Sequence, residues 1–155
     1  MDKIAEDLNG KKSDNSFMTK CACAEVRKAA RALTKIYNKH LAPAGLKVAQ
    51  FSLLMTIRVG GSITMSRLAR VAIIDRTTLV RNLAILEKKG LISTKPVEGK
   101  REHSITLTDA GGRKCEEAIP LWEKAQGQVV AFLGPENVNS LMASISGIKS
   151  LARGG

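Results

Sequence analysis

The apolar positions of this chain fall into two rhythms. From Thr19 to about Leu41, the residues Ala22, Val26, Ala29, Ala30, Leu33, Ile36, Tyr37 and Leu41 recur at steps of three and four, which lays one apolar stripe along a long helix. Pro43 and Gly45 end it, because proline cannot continue the helical ladder and glycine takes the left-handed turn beyond a helix without strain. A second helix is predicted from about Val48 to Val59, with Phe51, Leu54, Met55 and Ile57 apolar nearly all round, as in a central buried helix; Gly60 and Gly61 break it. Thr64 then reads as the N-cap of a helix of about two turns carrying Met65, Leu68, Ala69 and Val71. The link Ala72-Ile73-Ile74 leads to Asp75, a second N-cap, and to a helix whose Leu79, Leu83 and Leu86 face inward until Gly90 stops it.

Beyond Gly90 the period shortens to two. LISTKPV and HSITLT each alternate apolar and polar residues, and between them lies Glu98-Gly99-Lys100-Arg101-Glu102, a hairpin with a basic tip. Thr108-Asp109 caps a further helix reaching about Leu133, interrupted or bent near Pro120. After Gly134-Pro135 a last helix carries Leu141, Ile145, Ile148 and Leu151 as a narrow apolar stripe. The predicted class is mainly α with a small antiparallel β wing: a winged helix-turn-helix core flanked by N- and C-terminal dimerisation helices. The expected divisions are a flexible arm over 1–18, an N-terminal dimerisation helix over 19–45, the winged helix-turn-helix over 46–107 and C-terminal dimerisation helices over 108–155.

Composition narrows the chemistry. A chain of 155 residues, 44% hydrophobic, buries the core of one domain or one subunit of an oligomer. Its net charge of +11 suits a partner rich in phosphate. Between Arg58 and Arg101 ten basic side chains stand against three acidic ones, leaving +7 in the middle of the chain. The first twenty residues are polar, with no apolar run of the length a signal peptide or membrane span needs, so a cytoplasmic protein with no membrane partner is expected. Three cysteines and two histidines, His40 and His103, support neither a disulfide framework nor a Cys/His zinc site; no metal and no cofactor are expected.

Two capped helices joined by a tight turn and followed by a basic hairpin suit double-stranded DNA, because a helix fits the major groove, where each base pair shows its own pattern of donors and acceptors. Arg76, Thr77, Thr78, Arg81 and Asn82 are the candidate contacts on the second helix, with Arg76 and Arg81 for base edges, since arginine grips guanine O6 and N7 with two bonds. Lys100 and Arg101 are placed over the backbone or in the adjacent minor groove. The N–H groups of the helix that starts at Thr64 can hold a phosphate. The stripe of the last helix calls for association, and a two-fold homodimer on DNA predicts a palindromic operator.

The residues DRTTLVRNLAILEKKGLI, the hairpin, and ITLTDAG together resemble the MarR family of bacterial regulators, from about Thr19 to the C-terminus. The resemblance implies a triangular dimer in which helices from both chain ends intertwine, a wing carrying Arg101 and closing on Leu107-Thr108, and a salt bridge from Asp75 to Arg101 that orients the wing. Where the family's wing usually has an aspartate, this chain has Gly99. It also implies a repressor released by a small molecule, often an aromatic or phenolic acid held in a crevice between dimer base and winged domain. A second branch of the family senses organic hydroperoxides; CAEVRKAARALTKIY is similar to it, with Cys23 at the reactive cysteine, Tyr37 at a supporting tyrosine and Arg27 in place of another. Arg27 and Lys28 favour the Cys23 thiolate, and Cys115 is a candidate resolving partner or a buried packer. No catalysis is expected. A thiol-dependent enzyme and a winged helix serving only protein contacts are the remaining alternatives.

Overall fold

The computed structural model describes residues 21–99 and 101–153; the expected arm over 1–18 and Lys100 lie outside them. By packing, the chain divides after Ile36 into two units. The helix α1 (Ala22–Leu41) begins in the first and ends in the second. Within the first unit Cys21 precedes the helix and accepts the Glu25 N–H at 3.1 Å, while Lys28 pairs with Glu25 at 2.7 Å. Cys21 thus stands at the N-terminal boundary of the helix, its carbonyl accepting the first helical bond.

In the second unit, α1 ends at Leu41 and a 3-10 turn, Ala42–Ala44, with Gly45 left-handed at φ 67°. Then follow α2 (Val48–Gly60), β1 (Ser62–Thr64), α3 (Met65–Ala72), α4 (Arg76–Lys88), β2 (Ile92–Pro96), β3 (His103–Leu107), α5 (Asp109–Leu133) and α6 (Pro135–Arg153). The strands form one antiparallel sheet in the order β1-β3-β2, with Ser62 opposite Thr106 and Ile92 opposite Leu107. Both hairpin strands stand where alternation placed them. The third, β1, is only Ser-Ile-Thr, too short to alternate visibly; pairing with β3 and burial of Ile63 hold it in place.

Leu54 and Ile57 of α2, Leu68 of α3, Leu79 and Leu86 of α4, Ile105 of β3 and Cys115 of α5 are wholly buried together. At typical values each such leucine contributes ~2–3 kcal/mol by leaving water. Phe51 and Trp122 add a tilted aromatic pair with centroids 6.4 Å apart. Of the expected interruption or bend near Pro120, the interruption is corrected: α5 runs as one helix through it. Proline removes one helical N–H, and Pro120 and Glu116, whose carbonyl loses that donor, are both exposed residues, which lowers the cost of the lost bond.

The wing is anchored at its base by the segment Thr108-Asp109-Ala110-Gly111. The Thr108 N–H donates to Leu91 O at 3.1 Å and its hydroxyl donates to Gly90 O at 2.6 Å, while the same oxygen accepts the Gly111 N–H at 3.0 Å and so caps α5. Gly111 lies so close to the Leu91 carbonyl that a Cβ there would overlap its oxygen. One threonine and one glycine thus join the end of α4, the hairpin and the start of α5.

Candidate nucleic-acid interface

The helix-turn-helix is built from two side-chain caps around a strained turn. Thr64 Oγ1 accepts the Arg67 N–H at 3.3 Å at the start of α3. Asp75 Oδ1 accepts the Thr78 N–H at 2.9 Å at the start of α4. Between them Ile73 is left-handed at φ 50°, and the N–H groups of Ile73 and Ile74 both turn back to Ala69 O. A β-branched residue seldom adopts this conformation, and it reverses the chain here in a single step.

On α4 the buried Leu79, Leu83 and Leu86 fix which side is free. At roughly 100° per residue the crest opposite them is Thr77, Arg81, Ala84 and Lys88, all exposed. Of the expected contacts, Thr77 and Arg81 stand on this crest. Arg76 lies on the flank toward the wing, and Thr78 on the other flank, where it serves the Asp75 cap. Asn82 is half-buried and its amide donates one N–H to Thr78 O at 2.9 Å. Ala84 and Lys88 were not singled out from sequence, although the spacing of the three leucines already determines the crest.

Asp75 is the N-cap that its place before α4 predicts. Its carboxylate faces the first turn of α4, and hydrogen bonds from the Thr78 side chain and then the Thr78 N–H hold it below the usual carboxylate range. Among the described residues the ion pairs are Lys28–Glu25, Arg58–Glu116 and Lys114–Glu117, and the Asp75–Arg101 bridge that the resemblance implied is not one of them. The wing is oriented instead by its ladder and by the Val97 N–H, which donates to Glu102 O at 2.9 Å. Arg101 is exposed at the tip of the hairpin, facing a cavity of about 130 Å³ shared with Met65, Ser66, Arg76, Glu102 and His103.

A second cavity, of about 400 Å³, opens between α2 and α3 and is lined by Met55, Thr56, Val59, Gly60, Ile63, Arg67 and Val71. Among the described residues no cluster of His, Cys, Asp and Glu could hold a metal ion, and no helix is long and apolar enough to cross a membrane.

The peroxide-sensing alternative is not favoured. Tyr37 donates its hydroxyl to Gln126 Oε1 and Lys28 is tied to Glu25. Cys115 is wholly buried, and that burial pushes its thiol up despite the nearby Arg58 guanidinium, so it stays protonated when a resolving cysteine needs a thiolate. Cys23 is exposed, and all three cysteines are free.

Comparison with known proteins agrees with this geometry. Residues 46–102 match the MarR family. The HTH-type transcriptional regulator YdcH of Bacillus subtilis (strain 168) is 31% identical over 122 residues, covering 75% of this chain and 79% of the relative. Among solved structures, the M. tuberculosis transcriptional regulator MosR in complex with DNA is 35% identical with a TM-score of 0.77, covering 87% of this chain and 98% of that one. A mutant MarR from E. coli complexed with operator DNA also superposes at a TM-score of 0.77, covering 85% of this chain and 96% of that one; at 24% identity it speaks for the fold.

Proposed function

The chain belongs to the MarR family of transcription regulators, and from that premise we propose that it is a non-catalytic cytoplasmic homodimer that binds a palindromic operator in double-stranded DNA and represses transcription until a small molecule releases it. The observation that carries this reading is the free crest of α4, Thr77, Arg81, Ala84 and Lys88, presented opposite a fully buried leucine stripe. A solvated polar helix needs no such presentation on a capped two-helix turn beside a wing. In the major groove Arg81 grips a guanine edge and the Thr77 methyl packs on a thymine methyl. Two-fold symmetry sets two such helices roughly 34 Å apart, one turn of the duplex.

For the releasing ligand, the 400 Å³ cavity offers apolar walls from Met55, Val59, Ile63 and Val71 and one guanidinium, Arg67. That combination suits a small aromatic or phenolic acid, whose ring leaves water and whose carboxylate meets arginine. Because Arg67 and Val71 belong to α3, a ligand there bears on the element that supports α4.

Selection from random duplex DNA tests the reading. An inverted repeat with half-sites about one helical turn apart is expected, as is affinity that falls steeply with salt. Enrichment of no sequence, or indifference to duplex DNA at low ionic strength, would overturn it.

A further inference from the structure

We propose that Arg76 is a phosphate-binding residue rather than a base reader, and that with Arg101, His103 and Ser66 it forms a seat for one backbone phosphate of the duplex beside the tip of the wing. The proposal rests on the DNA-binding reading above and assigns a different job to one of its expected base contacts.

Three elements converge on the 130 Å³ cavity: the first turn of α3 through Met65 and Ser66, the first residue of α4, Arg76, and the wing side through Arg101, Glu102 and His103. Both guanidiniums are exposed, and neither pairs with a carboxylate among the described residues. Glu102 is the one carboxylate on the lining, so two permanent cations face one anion there. A guanidinium fork matches the oxygens of a phosphate, the Ser66 hydroxyl can donate, and a histidine ring keeps an N–H in either protonation state.

Position decides between phosphate and base. Arg76 is one residue before Thr77, hence roughly 100° around α4 from the crest, on the side of the wing. When the crest enters the major groove, the floor with its base edges meets Thr77 and Arg81. A flank that also touches the wing and the start of α3 meets the groove wall, which is sugar and phosphate.

The test uses the full-length protein and an operator selected from random duplex DNA. For Arg76→Ala the slope of log affinity against log salt should become shallower by about two per dimer, one phosphate for each protomer, while the preference for operator over scrambled DNA stays unchanged. Arg76→Lys should keep the wild-type slope and the wild-type preference, because a phosphate accepts a point charge. Arg81→Ala should do the reverse, reducing the preference with little change in slope. A scan that replaces single backbone phosphates by neutral methylphosphonates should find one position per half-site that weakens wild type but not Arg76→Ala. Loss of sequence preference in Arg76→Ala, an unchanged slope, or no such phosphate position would each overturn the assignment. Failure of the wild-type protein to bind any duplex would instead remove the DNA-binding reading beneath it. Arg76 is exposed, and circular dichroism of the variants verifies that each is folded.

Discussion

Helices α4 and α6 carry leucine and isoleucine at the same three- and four-residue steps, and their fates are opposite. Leu79, Leu83 and Leu86 of α4 are 0%, 5% and 0% exposed, whereas Leu141, Ile148 and Leu151 of α6 are 41%, 53% and 81% exposed. Periodicity encodes that a segment is a helix and which side is apolar, but not what covers that side. For α4 the cover comes from the same chain, in α2, α3 and the sheet. For α6 no equivalent cover exists among the described residues, and Phe132 at the end of α5 is 87% exposed as well. An apolar face of this kind calls for a second copy, as the homodimer reading requires.

The largest expected effect breaks the covered stripe. Leu79→Ala should reduce unfolding free energy by about 3 kcal/mol in denaturant titrations, because it leaves a cavity in a closed core. The paired change Ile148→Ala with Leu151→Ala should leave single-chain stability within about 0.5 kcal/mol, as for surface positions, while shifting sedimentation toward monomer. If both variants lost stability to the same degree at every protein concentration, the contrast between the two helices would be wrong.

Next in size is the junction below the wing. Gly111→Ala should cost about 2 kcal/mol or more, since its Cβ must displace the Leu91 carbonyl. Gly112→Ala, one residue on, meets nothing within 4 Å and should stabilise α5 by roughly 0.5 kcal/mol through helix propensity. Thermal melts of the two variants should therefore move in opposite directions, and parallel shifts would show that the close approach is not limiting. A change smaller than that at Gly111 is expected from Ile73→Asn, a gain of about 1 kcal/mol, because asparagine tolerates the left-handed turn that isoleucine occupies under strain. An unchanged melting temperature would argue against strain at that turn.

Much of this architecture was legible before any coordinates. Thr64, Asp75 and Thr108 cap where their hydroxyl or carboxylate chemistry placed them, and Gly90 is left-handed beyond α4 at φ 68°. What escaped depends on distance rather than order along the chain. Ser62 to Thr64 becomes a strand only because β3 lies beside it. The role of Gly111 needs the Leu91 carbonyl, twenty residues away, and the continuity of α5 through Pro120 goes with the exposure of Glu116. At the candidate interface the candidates were chosen by proximity to the N-terminus of α4, whereas the angle from Leu79, Leu83 and Leu86, also readable in the sequence, sets Thr77 and Arg81 on the crest and Arg76, Thr78 and Asn82 on its flanks.

The smallest expected effect concerns how firmly α4 is started. Asp75 carries a folded-state pKa held below its ordinary value by Thr78, so the charged cap favours the fold. Its contribution is fully present above the ordinary carboxylate range and is lost as pH falls through the depressed folded value. Asp75→Asn keeps an acceptor for the Thr78 N–H and removes the charge, so this part of the acid dependence should vanish while the helix still starts at Arg76. Unfolding followed from neutral to acid pH should then show a shallower acid decline for the variant than for wild type. Because the cap sits on α4 and not on α6, operator binding should weaken together with that decline, whereas self-association should not. Equal acid declines in the two proteins would mean that the cap's charge contributes nothing to presenting the crest.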